Sequence, residues 1–337
     1  MRTPFVYMLA AILLLLSCRQ TPKQAFPKEK DISEYEQTQF LPTMEHRIST
    51  DTNSVYCATL LFAWDEARNI IGAPLLIPEE YQDLILLNAS TSYRNVLKDN
   101  EYKVKGEVQG DLITARAEFD KSLPFPCELQ KFNNCLTFNG HKVAAFGVAG
   151  YDRDEMTNIV DILYYENDDN FIIKLAPTDT EHEIILFKTG EAYTTMAEMV
   201  AASDSLIQIG KQEKGVDNTR WKYQFDDDDM VMIPDMSFNI SANFNKLINN
   251  NFTAKQESYR ITEAWQRIAF LLNETGAKIE SEAEMAVEEC LELEGPVKHE
   301  PKKMIFDKPF FLMLHRTDAQ YPYCCMHLVN SELMVKE

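Results

Sequence analysis

This sequence is poor in the features that mark nucleotide, metal and redox sites. It holds 11 glycines among 337 residues, and neither GxGxxG nor a Walker-type phosphate loop occurs among them. Its six histidines never take the HExxH spacing, and no CxxC pair occurs, which removes support for a zinc site or a thioredoxin-type pair. We therefore expect no cofactor and no metal, and no residue pattern argues for an enzyme.

The chain is also short of positive charge. Its formal net charge is -20, which disfavours nucleic acid and anionic membrane surfaces as partners and suits solubility outside the cytoplasm. Four consecutive aspartates, Asp226–Asp229, could attract calcium, but the glycine and distal glutamate of an EF-hand loop are absent. We interpret the four aspartates as a solvated turn.

Long hydrophobic runs are confined to the first residues, MRTPFVYMLAAILLLLSC. The apolar run from Pro4 to Leu16 is too short for a mature membrane helix and has the length of a signal-peptide core. It ends in Leu-Leu-Ser-Cys, which resembles a bacterial lipobox, so we predict a signal peptide over 1–17 and lipidation of Cys18. The alternative is an ordinary secretory signal followed by a coincidental cysteine.

The rest of the chain divides by composition. Residues 18–50 are polar and contain prolines, which predicts a lipid-anchored flexible tether to the outer membrane of a cell envelope, its periplasmic or surface face left open. Residues 51–337 are enough for a single domain with a large core, and we expect a monomer.

Six further cysteines permit disulfides in an exported protein but their spacing fixes no pairing. Cys324 and Cys325 are adjacent on a predicted strand and point to opposite faces, so a bond between them is disfavoured. Buried free thiols are the alternative. The six are Cys57, Cys127, Cys135, Cys290, Cys324 and Cys325.

Periodicity predicts an α+β fold, helix-rich early and then dominated by large mixed or antiparallel sheets. Helical spacing covers 53–71, with a short strand first, then 79–98 and 191–210. We predict strands in short β-rich runs and a short helix within 239–252. The predicted strands lie within 111–119, 142–150, 159–165, 170–177, 183–188, 221–225, 230–240, 264–273, 308–314 and 323–329.

One segment combines a strand pattern with helix-forming residues. From Ala277 to Glu288 the odd positions are uncharged and the even positions are charged, Ala286 excepted. This alternation is typical of a half-buried strand, yet Ala, Glu, Lys and Met favour helices. The helical alternative has its own stripe, through Ile279, Ala283 and Cys290.

Around this segment, residues fall in a fixed order. Glu274, Gly276 and Ala277 match a hinge of the form E-E-G-T-x-A-x-A-x-T. Downstream lie F-x-[KR]-P-F-x-F and a last strand like P-x-F-M-G-[KR]-V-x-N-P, and together these resemble the C-terminal signature of serpins. The downstream matches are Phe306, Lys308, Pro309, Phe310, Pro322, Val329 and Asn330.

Weaker matches extend the resemblance over roughly 112–330: ARAEFDKSLPF (115–125), the hairpin VDILYYENDDNFIIKLAP and MVMIPDMSFNISANFNKLINNNF with a helix. The part before them is far shorter than the helical half of serpins. The Trp of the ARAEF-type motif is absent, Met326 replaces the terminal glycine, and Lys278, Ile279, Glu280 and Glu282 replace Ala-rich hinge residues.

The resemblance implies a protease inhibitor acting as a suicide substrate through a reactive loop near 276–303. After cleavage by a serine or cysteine protease, hinge residues Ala277, Ile279, Ser281 and Ala283 would enter a sheet as a new strand. Counting from Gly276 places the scissile bond at Cys290–Leu291, and counting back from Phe306 places it at Lys298–His299. The alternative is a non-inhibitory binding or structural lipoprotein with the same fold.

Overall fold

The computed structural model describes residues 25–109, 112–149, 158–279 and 300–336. These residues form a mixed α/β structure in which sheets predominate. In chain order the strands are β1 Lys30–Asp31, β2 Thr38–Leu41, β3 Asn53–Cys57, β4 Tyr102–Gln109, β5 Leu112–Phe119, β6 Lys121–Pro124, β7 Gln130–Phe138, β8 His141–Val148, β9 Val160–Asn167, β10 Asn170–Leu175, β11 His182–Lys188, β12 Met230–Pro234, β13 Met236–Asn243, β14 Asn251–Ala254, β15 Glu257–Arg260, β16 Trp265–Asn273, β17 Gly276–Ile279, β18 Lys303–Ile305, β19 Phe310–Arg316 and β20 Cys324–Leu328.

The largest sheet has seven strands in the order β2-β3-β20-β19-β11-β10-β9. Its pairs are antiparallel except β2 with β3. Its central strands are buried on both faces, and β19 has all residues but one buried along FFLMLHR. Continuous apolar runs of this kind form strands covered on both sides, so this sheet is the centre of the core.

A five-stranded sheet with the order β1-β13-β16-β17-β6 carries the segment of functional interest. Its longest strand pair is β13 with β16. These strands are antiparallel and in register from Met236 opposite Leu272 to Asn243 opposite Trp265. The side chains of Phe238 and Phe270 meet in this pair at a ring-centroid distance of 5.7 Å.

A four-stranded sheet has the order β18-β12-β8-β7. Its edge strand β18 is the first strand after residue 300. Two separate hairpins, β4–β5 and β14–β15, complete the strands of the described ranges.

Three α-helices lie in the described residues: α1 Thr59–Ile71, α2 Gln82–Ala89 and α3 Met196–Glu213. Helix α1 ends at Gly72, which takes the left-handed conformation common after helices. Helix α3 begins after Thr195, whose hydroxyl accepts the N–H of Glu198. Three short 3-10 helices are η1 Ile32–Glu34, η2 Arg220–Tyr223 and η3 Ser331–Leu333.

Most predicted elements are present. The strand and helix expected over 53–71 are β3 and α1, the helix expected over 191–210 is α3, and YYENDDNFII is the β9–β10 hairpin. Residues 79–98 contain a single helix, α2, followed by turns.

Two local predictions are wrong. WKYQF at 221–225 begins inside η2 instead of a strand, and its Trp221 ring packs against Tyr165 with centroids 6.4 Å apart. Residues 239–252 hold the end of β13, turns and the start of β14, but no helix. Asparagines there favour turns over helices because their side chains compete for backbone hydrogen bonds, and Asn249 has a positive φ of 67°.

The flexible tether predicted to reach residue 50 is wrong from Lys30 onward. Residues Thr38–Leu41 form β2, parallel to β3, and Phe40, Leu41 and Met44 are buried. The Glu332 carboxylate accepts hydrogen bonds from the N–H groups of Glu36 and Gln37 at 2.8 and 3.0 Å. A strand of four residues is too short to show a clear period, and the polar, proline-containing residues around it led to the prediction of a tether.

No helix in the described ranges is long and apolar enough to cross a membrane. The predicted signal peptide and the lipidation site Cys18 lie outside the described residues.

Phe306 offers a test of the core where the chain returns to it. Its side chain is fully buried and lies edge-on to Phe171 and Phe310, at centroid distances of 5.1 and 5.0 Å. We expect Phe306→Ala to lower the free energy of unfolding by about 4 kcal/mol because it leaves a cavity. Leu76→Ala, at a side chain 70% exposed, should change it by less than about 0.5 kcal/mol. Urea denaturation of both variants measures the free energy of unfolding. Equal losses in the two variants would contradict the burial of Phe306 in the core.

Candidate functional site

The chain leaves β16 and re-enters the same sheet at once as β17. A turn at Glu274 and Thr275 joins the two strands, and the Asn273 side chain accepts hydrogen bonds from the Thr275 N–H at 3.0 Å and hydroxyl at 2.8 Å. Strand β17 runs antiparallel to β16 on one side and to β6 on the other. It therefore occupies an internal position of the sheet, with both of its edges paired.

Close backbone approach fixes the start of β17. Gly276 has a φ of +135°, and a Cβ placed on it would lie 2.4 Å from the Leu123 carbonyl oxygen. The turn is bonded to the chain after β6 as well: the N–H of Phe125 donates to the Thr275 carbonyl and the N–H of Leu129 to the Glu274 carbonyl, both at 2.9 Å. Only glycine satisfies both the conformation and the space at position 276.

The Glu274 side chain makes a partly buried ion pair. Its Oε1 lies 3.1 Å from the Lys131 Nζ, and the two side chains are 11% and 15% exposed. Its Oε2 is buried and has no hydrogen-bond partner among the described residues. Removing either partner would leave the other charge poorly solvated, so the pair ties the turn to β7.

Ala277 lies in a row of buried side chains across three strands. It is opposite Leu272 of β16 and Leu123 of β6, and the three residues are 2%, 0% and 1% exposed. Lys278 is half-buried and opposite Leu271 and the exposed Ser122. The small side chain between two leucines and the charged one on the other face confirm the predicted alternation over these positions.

Along the rest of β16, the pairing that the structure describes is with β13. Residues Trp265–Phe270 pair with β13 only, whereas Leu271–Asn273 pair with both β13 and β17. On the inner face of this stretch lie Phe270, Ile268 and Gln266, each less than 5% exposed. The residues that follow β17 in the chain, 280–299, lie outside the described residues.

A buried ion pair fixes the chain just before β18. The Lys302 Nζ lies 2.6 Å from the Asp229 Oδ2, with the side chains 2% and 1% exposed. The Lys302 N–H also donates to Asp229 Oδ1 at 2.7 Å, and the ammonium stands 5.5 Å from the centre of the Trp221 ring. The aspartate run interpreted as a solvated turn therefore ends in a buried anchor for residues 302 onward.

A second cluster of charges surrounds Lys121 of β6, the residue paired with the last residue of β17. Lys121, opposite Ile279 in the register, pairs with Glu101, which also contacts the buried His182 at 2.8 Å from its Nε2. Burial raises the pKa of Glu101, but hydrogen bonds from Lys121, the Lys98 N–H and His182 outweigh it and lower the pKa to about 2. Glu101 is thus ionised at neutral pH and compensates the cations around it.

The structure brings together four predicted site residues, Glu274, Gly276, Ala277 and Ile279. The others, Ser281, Ala283, Cys290, Leu291, Lys298 and His299, lie outside the described residues, as does Cys18. Sequence reasoning missed Lys131, Lys302 and Glu101, because each meets its partner across a long sequence separation. No group of three or more residues that could ligate a metal occurs in the described ranges.

Gly276→Ala tests the close approach of β17 to β6. We expect a loss of about 2 kcal/mol or more in the free energy of unfolding, since the new methyl group meets the Leu123 carbonyl and strains a positive φ. Gly190→Ala is the matched control, because a Cβ there meets nothing within 4 Å. Chemical denaturation measures both variants, and a Gly276→Ala protein as stable as the control would show that β17 is misplaced.

Acid titration tests the cluster at Glu101. Its folded pKa of about 2 lies below the ordinary 4.5, so the stabilisation is present above pH 4.5 and is lost as the pH falls toward 2. Allowing for solvent screening, wild type should lose about 2 kcal/mol more than Glu101→Gln over this range.

The control for the acid titration is Glu118→Gln, which removes a carboxylate 72% exposed beside Lys103. This variant should follow wild type in unfolding experiments between pH 2 and 6. Parallel curves for wild type and Glu101→Gln would contradict the lowered pKa.

Comparison with known proteins finds similar solved structures but no matching sequence. No family model matches the sequence, and no curated protein matches it. Among solved structures, a cleaved serpin, "Cleaved Serpin 42Da", aligns with a TM-score of 0.35 and 9% sequence identity, covering 63% of this chain. The match spans about half, 54%, of the length of that serpin. A resemblance at this level does not establish membership of a family.

Proposed function

We propose that this chain is a serpin-like protease inhibitor whose loop between β17 and β18 enters the five-stranded sheet after cleavage. The observation that carries the proposal is the position of β17. It pairs with both β16 and β6, so the first residues of the segment lie where an inserted strand would begin. A strand added there would gain backbone hydrogen bonds along β16, as in peptide recognition by strand addition.

The register of β17 supports the same proposal. Continued along β16, it would set Ser281 opposite Ile268 and Ala283 opposite Gln266, both buried inner-face residues. It would set Glu282 opposite Arg267 on the outer face. Small side chains would thus face the core, and the Glu282 carboxylate would lie beside a guanidinium that already pairs with Glu29.

Fixed ends would present the loop to a protease as a substrate. Gly276 with the Glu274–Lys131 pair holds one end, and the Lys302–Asp229 pair holds the other. A serine or cysteine protease would attack either Lys298–His299 or Cys290–Leu291 and form an acyl bond. Insertion of the upstream part would then carry the attached protease along the sheet. The chemistry belongs to the protease, and this chain would supply no catalytic group.

The location proposed for this activity is the cell envelope. Export through residues 1–17 and lipid on Cys18 would hold the domain at the outer membrane, where it would meet secreted proteases. Detergent phase partition of wild type and Cys18→Ala would test this, because only the lipidated form should enter the detergent phase.

The central test mixes the purified domain with trypsin-like and cysteine proteases. We expect a covalent complex that survives SDS, and a cleaved inhibitor that melts at a higher temperature than the intact one, since an inserted strand adds backbone hydrogen bonds to the sheet. Mass spectrometry of the complex would identify the scissile bond. Cleavage without complex and without a higher melting temperature would reject the proposal.

Two matched variants separate insertion from loop binding. Ala283→Arg would place a guanidinium on the inner face opposite Gln266, so the complex should be lost while cleavage continues. Glu284→Arg changes the next residue, which would face outward, and should keep the complex. Equal behaviour of both variants would show that the register does not continue along β16.

The second candidate is a non-inhibitory binding or structural lipoprotein of similar fold. The pairing of β17 fits this function as well, because the strand lies in the sheet without any cleavage of the chain. The large Ile279, which follows Lys278 on that strand, would also slow the entry of further residues. For this function, protease treatment should leave the melting temperature unchanged.

A further inference from the structure

Two cysteines face each other at the centre of the seven-stranded sheet. Cys57 is the last residue of β3 and Cys324 is the first residue of β20, and they are direct partners in the antiparallel register. They are 3% and 0% exposed, and both are thiols in the structure. Side chains of directly opposed residues lie on the same face of a sheet, so the two sulfur atoms share one pocket.

The hydrogen-bond pattern shows that Cys57 and Cys324 form the type of antiparallel pair with the shorter Cα–Cα distance. The N–H of Ala58 donates to the carbonyl of Tyr323 at 2.9 Å, so the backbone bond between the two strands lies one residue beyond Cys57 and Cys324. The neighbouring pair, Cys57 and Cys324, is therefore of the non-hydrogen-bonded kind, with Cα atoms about 4.5 Å apart. Disulfides span Cα distances of roughly 4.4–6.8 Å, so a bond requires little movement of the backbone.

The surroundings make the two thiols unequal. Burial raises the pKa of Cys57, but hydrogen bonds from the Cys324 thiol, from the Thr59 N–H and hydroxyl and from the Ala58 N–H outweigh it and lower the pKa. Donation of that hydrogen bond to Cys57, followed by burial, raises the pKa of Cys324. Cys57 lies just before α1, where backbone N–H groups favour a thiolate. Its position before the helix favours its ionisation as soon as α1 has formed.

We propose that Cys57 and Cys324 form a cross-strand disulfide in the mature, exported protein. The oxidant is a small-molecule or protein disulfide. The Cys57 thiolate attacks one of its sulfur atoms and expels the other as a thiolate, which gives a mixed disulfide. Cys324 then loses its proton, and its sulfur attacks Cys57 and releases the second thiol of the oxidant. Two protein thiols are oxidised and one disulfide is reduced to two thiols.

The bond forms while β20 docks on β3, because in the finished fold no oxidant reaches the pair. Cys325 is excluded as the partner, since it is opposite Tyr56, points to the other face and has its Sγ 3.4 Å from the Met196 Sδ. The bond would join the strand before α1 to the last strand of the chain. This inference does not depend on the inhibitor function.

Refolding of the full mature chain with oxidised glutathione tests the proposal. After removal of the oxidant, the protein is unfolded without reductant, free thiols are blocked with iodoacetamide, and the digest is analysed by mass spectrometry. We expect the trypsin fragment with Cys57 linked to the fragment with Cys324 and Cys325, with Cys325 alkylated. Tandem fragmentation assigns the linked sulfur. Alkylation of Cys57 and Cys324, or a Cys57–Cys325 link, overturns the proposal.

Stability under redox control gives a second readout. The oxidised wild type should melt at a higher temperature than the same protein treated with reductant, because the bond constrains the unfolded chain. Cys325→Ser should keep this redox-dependent shift, whereas Cys324→Ser should lose it. If Cys324→Ser fails to fold, the linkage map of the wild type still decides. A shift that persists in a folded Cys324→Ser protein contradicts the assignment.

Discussion

An internal strand must have both of its edges paired, and the geometry around β17 follows from this constraint. To lie between β16 and β6, the chain must turn back within two residues and pass close to the Leu123 carbonyl. That passage excludes every residue with a Cβ at position 276 and requires a small side chain at Ala277, between two buried leucines. The polar turn itself is then satisfied by bonds to Phe125 and Leu129.

Charged side chains hold both ends of the segment that separates β17 from β18. The Lys302–Asp229 pair is nearly fully buried, and the Glu274–Lys131 pair is largely so. Such pairs contribute little net stability relative to apolar replacements, but breaking one partner is costly. Their effect is therefore to specify position: they determine where the chain leaves one sheet and where it enters the next, whatever lies between.

The sequence predicted those parts of the fold that local patterns determine. Continuous apolar runs predicted β10, β11 and β19, and helical spacing predicted α1 and α3. Within the site, alternation predicted that Ala277 faces inward and Lys278 does not. These properties depend only on neighbours in sequence, and so they can be predicted from a single chain.

Long-range pairing could not be predicted in this way. Glu274 meets Lys131 at a sequence separation of 143 residues, and Lys302 meets Asp229 at 73. No spacing rule connects such residues, because the contact depends on how separate sheets pack. The strand β2 was missed for a different reason, because the polar, proline-containing composition around it is that of a flexible tether, although its partner β3 follows closely in the sequence.

The early docking of the chain limits how far the domain could stand from a membrane. Because the Pro27 carbonyl already accepts a hydrogen bond from the Asn239 side chain at 2.9 Å, only about 8 residues separate the proposed lipid site Cys18 from the folded body. Fully extended, these residues reach about 30 Å. A lipidated form would therefore be restricted to partners at the membrane surface, and its orientation there would decide which of them can reach the loop.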